Sequence, residues 1–167
     1  LGDEAGAFAL ADAEVALEIW QVLANRGTDG ALLEAAVGTR PPENLNAATR
    51  RKIAERLISL GLPDPALEWL SQGEAAEDLA LAARAHVARG DGRSALRVLG
   101  GREVPEAAQA RAQALGALGD PAAAEAFAAL EDAEGLARAQ QAASDWEALA
   151  ANGPEAWAAA AALAGPI

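Results

Sequence analysis

Apolar positions along this chain recur at intervals of three and four, the spacing that lines one face of an α-helix. In AFALADAEVALEIWQVLANRG they fall at Leu10, Ala13, Leu17, Trp20, Leu23 and Ala24, and Gly27 ends the run. TDGALLEAAVG predicts a short second helix, opened by Thr28 or Asp29 and closed by Gly38. The two prolines of TRPP cannot continue a helix, so a break is expected there. NAATRRKIAERLISLG predicts a helix ending at Gly61, followed across LPDP by ALEWLSQ, with Asp64 as cap and Pro65 at the first helical position. EAAEDLALAARAHVARG and SALRVLGG form the next pair, and residues 106–119 with DPAAAEAFAAL the one after. DAEGLARAQQAAS, DWEALAANG and PEAWAAAAALAGPI read as the last helices.

One pattern returns at one interval in the middle of the chain. Gly61, Gly90 and Gly119 are twenty-nine residues apart. Each follows an alanine by seven residues (Ala54, Ala83, Ala112) and precedes another by five (Ala66, Ala95, Ala124). A period of this size signals stacked copies of one supersecondary unit. Glycine ends a helix where the backbone must turn left-handed. Alanines let two helices cross closely, while Leu57, Leu60, Leu67, Leu70, Leu96, Leu99, Leu115 and Leu118 are expected to fill the core. A fourth copy is degenerate: Ser144 takes the glycine position twenty-five residues after Gly119, with Ala137 seven residues before it. Arg111 stands where Ile53, Ala82 and Leu136 stand in the other copies. These readings predict one continuous domain, with an N-terminal helix pair over 1–42, a repeat array over 43–152 and a C-terminal apolar helix over 153–167.

Composition supports the all-α reading. Alanine supplies nearly three residues in ten, and the chain has no Cys, Met or Tyr and only two Phe. Without cysteine there is no disulfide and no thiolate metal site. The net charge of −12 is uneven. Residues 1–49 carry two basic and eight acidic side chains, residues 50–111 ten and nine, and residues 112–167 one and eight. Such a chain lacks the continuous basic face that nucleic acid or an anionic membrane surface requires. No apolar stretch approaches the roughly 20 residues that span a bilayer. A soluble protein is expected, with cytoplasm and periplasm both open. One Lys beside twelve Arg, with abundant Ala and Gly, points to a GC-rich bacterial genome. The absence of an initiating Met suggests a processed form or excised fragment.

From Ala54 through Gly61 to Ala66, and again from Ala83 to Ala95 and Ala112 to Ala124, the chain resembles the tetratricopeptide repeat family over about residues 46–150. That family has a small residue in its first helix, a glycine near the turn and an alanine early in its second helix. Its usual repeat is longer, so a twenty-nine-residue unit implies a short second helix. The resemblance implies a right-handed α/α superhelix of about five antiparallel helix pairs. It also implies that the first helix of each pair lines a concave groove for a peptide or protein segment. On helical geometry the face away from the Ala/Leu stripe carries Arg51 and Glu55, then Glu77 and Arg84, then Glu106, Gln109 and Gln113, then Glu134, Arg138 and Gln141. Arg and Gln can hydrogen-bond an extended backbone or a carboxylate. The Lys/Asn set of the family's carboxylate-clamping variants is absent. The competing reading is a solvated helix face with pairs such as Arg51–Glu55 at i,i+4.

Little in the sequence suggests catalysis. His86 is the only histidine and falls where neighbouring copies place Leu57 and Leu115, which reads as packing. No metal or cofactor site is expected. GDGRSA at 90–95 imitates a dinucleotide fingerprint, but it follows a helix where that motif needs a strand. Glu131, Asp132 and Glu134 suit the positive end of a helix dipole. The expected role is a non-enzymatic scaffold or adaptor that binds a peptide or protein. Two alternatives are an oligomerisation module and an accessory domain of a larger enzyme such as a cell-wall hydrolase. The last helix is apolar on all sides, so Trp157 and Leu163 are candidates for self-association or a partner contact.

Overall fold

The computed structural model describes residues 13–102 and 105–164, which form eleven α-helices and no strand. Leu10 and the rest of residues 1–12 lie outside the described residues. The helices are α1 (Ala13–Arg26), α2 (Asp29–Ala36), α3 (Ala47–Ser59), α4 (Pro63–Leu70), α5 (Ala76–Ala88), α6 (Gly92–Leu99), α7 (Pro105–Ala117), α8 (Ala122–Ala129), α9 (Ala133–Ala142), α10 (Trp146–Asn152) and α11 (Glu155–Ala164). From α3 to α8 they alternate between 13 and 8 residues, a long helix followed each time by a short one. The TRPP segment lies in the helix-free stretch between α2 and α3.

The helix ends share one construction. Gly61, Gly90 and Gly119 have φ of 76°, 78° and 65°, and Ser144 adopts 58° in the same role. At each, the left-handed residue donates its N–H to the carbonyl three residues back. The following N–H reaches five residues back, as in Leu62 to Leu57 and Asp145 to Gln140, both 2.9 Å. This closure satisfies carbonyls that a helix end would otherwise leave bare. Glu131 (φ 55°) closes α8 in the same way, with Asp132 N donating to Phe127 O at 3.1 Å. The next residue then opens the next helix. Asp91 accepts from Ser94 N, Asp132 from Gly135 N and Asp145 from Ala148 N, at 3.0, 2.8 and 3.2 Å. Asp120 accepts from Ala122 N at 2.9 Å. Thr28 and Asn46 cap α2 and α3. Asp64 is not a cap: α4 begins one residue before it, at Pro63, behind Leu62.

Two kinds of contact assemble these helices. Each helix packs on the next, and each odd helix from α1 to α9 packs on the next odd one. Ala54, Ala83, Ala112 and Ala137 are all fully buried at these contacts, where a larger side chain would force the backbones apart. Ala66 and Ala95 are buried as well. In the third copy the register slips by one: Ala123 is buried and Ala124 only half-buried, because α8 starts a residue later, behind Pro121. Leu118, expected in the core, is 41% exposed.

Side-chain size falls along the core. Helices α1 to α5 enclose Trp20, Leu23, Leu32, Leu45, Ile53, Leu57, Trp69 and Leu70. The Trp20 and Trp69 rings meet edge to face with centroids 4.6 Å apart, a contact of about 1 kcal/mol beyond its buried area. The next core is mostly alanine, with Leu99. It is followed by one around Phe127 and one formed by Ala137, Leu149 and Ala161.

Ser144 carries a Cβ in a conformation that glycine adopts without strain. Ser144→Gly is therefore expected to raise unfolding free energy by ~1 kcal/mol, and Gly90→Ala to lower it by a similar amount. Urea denaturation of both variants checks the pair, and a destabilised Ser144→Gly would contradict it.

Candidate interaction groove

The long helices α3, α5, α7 and α9 carry every candidate groove residue. Two adjoining depressions lie along them. The smaller, of about 390 Å³, is lined by residues including Glu77, Arg84, Gln109 and Gln113. The larger, of about 570 Å³, is lined by Arg84, Gln113, Glu134 and Arg138 together with Ile58, Val87 and Phe127. Arg84 and Gln113 belong to both, so six of the ten predicted residues are brought to one continuous surface. Phe127 reaches it from α8 and packs so closely on Gly135 that a Cβ at 135 would collide with its ring.

Charged partners fix much of this surface. Arg51 donates through Nε to Asp78 Oδ1 at 2.8 Å and through Nη2 to Asp78 Oδ2 at 3.3 Å, and it lies 3.4 Å from Glu77. Asp78 is 3% exposed. The hydrogen bond to Asp78, chiefly, raises the Arg51 pKa further, so Arg51 acts as a tie between α3 and α5. Glu55 reaches Arg84 on α5 at 3.5 Å. The Arg51–Glu55 pair of the competing solvated-face reading does not form among the described residues, because both side chains turn to the neighbouring long helix. Arg138 pairs with Glu134 one turn away. Gln141 is exposed and lines neither depression. Glu106 is the second residue of α7, but its side chain lies outside the described residues.

Asp132 is the group that the sequence undervalued. It caps α9, accepts from Gln109 Nε2 at 3.0 Å and lines the larger depression. Its neighbour Glu131 hides the hinge, because a glutamate gives no signal of a left-handed turn. His86 is half-buried, as expected, with Nδ1 buried and unbonded, and burial pushes its pKa down.

At the C-terminus the two candidates part. Trp157 packs partly buried against the small core of Ala137, Leu149 and Ala161, whereas Leu163 is 90% exposed. No described helix is long and apolar enough to cross a membrane. Among known proteins the chain matches no family model, no curated protein and no solved structure.

The Gly135 N–H, and after it the Gln109 amide, hold the Asp132 carboxyl below its ordinary pKa. A carboxyl that is more acidic in the fold stabilises it fully above the unfolded pKa of about 3.9, and that contribution is lost as the pH falls through the lower folded value. The stability gap between wild type and Asp132→Asn should hold steady at neutral pH and narrow below about pH 4. Urea titrations across that range measure it, and a gap independent of pH would contradict the assignment.

Proposed function

We propose that this chain is a tetratricopeptide-like α-solenoid, a right-handed superhelix of about five antiparallel helix pairs. Its long-helix face binds an extended segment of another protein without catalysing a reaction. The observation that carries this reading is the surface joined at Arg84 and Gln113, which runs across α5, α7 and α9. The packing of each odd helix from α1 to α9 on the next supports it, because that contact scheme extends one face along successive units. Gln113 offers a donor and an acceptor to a peptide backbone. Arg84 and Arg138 offer forked donors to acidic side chains, over an apolar floor of Ile58, Val87 and Phe127.

Arg51 is tied to the buried Asp78, whereas Arg84 and Arg138 pair with exposed carboxylates, so the groove is best tested at Arg84 and Arg138. Panning short random peptides should yield binders whose affinity falls ~10-fold or more in Arg84→Glu/Arg138→Glu. The same binders should be unaffected by Arg93→Glu, an exposed position outside both depressions. Selected peptides indifferent to the double change would contradict the groove.

The exposure of Leu163 favours one second reading, self-association through α11. Light scattering at rising concentration would then show dimers of wild type and monomers of Leu163→Glu. A wild-type chain that stays monomeric would remove this reading.

A further inference from the structure

His86 is the chain's single histidine, and histidine is the side chain whose ordinary pKa lies between pH 5 and 8. It stands near the end of α5, four residues before Gly90. The same register position holds Leu57, Leu115 and Gln140, four residues before Gly61, Gly119 and Ser144. Leu57 is completely buried and Gln140 nearly so. The backbone of His86 also belongs to the joint. Its carbonyl accepts the N–H of Arg89 at 3.1 Å and that of Asp91 at 2.9 Å, and the second of these bonds closes α5 before α6 begins.

The imidazole ring is half-buried, and its Nδ1 is buried without a hydrogen-bond partner. Two carboxylates act on the ring, and both are engaged elsewhere. Asp64 of α4 accepts from Arg89 Nη1 at 2.8 Å, and Asp91 accepts from Ser94 N at 3.0 Å. Two cations, Arg89 and Arg97 of α6, oppose a further positive charge. On α3, Glu55 faces Arg84, Arg51 is tied to Asp78, and Arg56 turns to the Leu23 and Gly27 carbonyls. On α7, Arg111 donates to the Gly100 and Arg102 carbonyls at 2.9 and 3.1 Å. Burial, above all, pushes the His86 pKa below its ordinary value, and the pull of Asp91 and Asp64 does not offset it.

A proton on His86 places a charge where burial strips water from it and where neither carboxylate is free to pair with it. We propose that the α5–α6 joint is acid-sensitive: it holds while the His86 imidazole is neutral and loosens when the imidazole takes up a proton. An imidazole that binds its proton less readily in the fold than in the unfolded chain leaves stability untouched above about pH 6.5. It withdraws stability as the pH falls below that value toward the lower folded pKa. The Ser144 joint has the same backbone closure with Gln140 in place of the histidine, so it has no such titration. Val87 and Ala88, next to His86 on α5, line the larger depression, so the acid-sensitive joint borders the candidate groove without depending on it.

Urea unfolding at pH 7.5 and 5.5 tests the joint, in a window where ordinary carboxylates stay ionised. The folding equilibrium constant of the wild type should fall at the lower pH, by up to about tenfold. His86→Leu and His86→Gln carry the residues of the other copies and should unfold at the same urea concentration at both pH values. Circular dichroism checks that each variant is folded, and either one alone decides. Amide exchange, corrected for the intrinsic rate, locates the effect. Protection of Asp91 N should drop ~3-fold or more relative to Asp145 N, which makes the matching bond of the Ser144 joint. A wild type equally stable at both pH values, a loss that persists in the variants, or an equal loss of protection at Asp91 and Asp145 would overturn the proposal.

Discussion

Everything else in this molecule rests on one backbone event, the left-handed residue that closes a helix so that the next can begin within two or three residues. Gly61, Gly90, Gly119, Glu131 and Ser144 all perform it with the same pair of backbone hydrogen bonds. At three of the five, the following aspartate turns the end of one helix into the cap of the next. A stop and a start in consecutive residues leave no slack. The long helices are therefore delivered to one another at regular intervals, and the short ones pack beside them.

Close approach is the second condition, and alanine supplies it. With Ala54, Ala83, Ala112 and Ala137 fully buried, the long helices meet along their lengths. Large side chains fill the core near α1 to α5, and alanine takes over beyond it. Polar ties then link neighbouring units at close to the spacing of the pattern. Arg51 reaches Asp78 across 27 residues, and Arg84 reaches Glu55 across 29. These ties draw on side chains of the candidate surface, so part of its charge serves the fold.

The helices, their alternating lengths and the three glycine turns were legible from spacing alone, because glycine and alanine report backbone constraints directly. Ser144 was legible only from its register. Glu131 was not, since nothing in a glutamate announces a positive φ, and its place in an acidic cluster suggested a dipole role instead. Leu62 in place of Asp64 at the start of α4, and Ala123 in place of Ala124 in α8, are shifts of one or two residues set by prolines. Of the residues that helical periodicity assigned to one face, six line the two joined depressions. The tie of Arg51 to Asp78 was not legible, because its partner lies on another helix and no local pattern reveals a contact across that distance. Arg111 stood out in the sequence as an irregularity, and its anchoring at the turn after α6 gives that irregularity a physical reason.

In the proposed solenoid each unit is held only by its neighbours. Duplicating residues 62–90, one full unit from turn to turn, tests it most directly. An array of such units accepts another copy. The lengthened chain should then fold with a larger helical signal, a proportionally larger urea m-value and an unfolding midpoint no lower than that of the parent. A lengthened chain that is unfolded, or that gains no helix and no m-value, would contradict it.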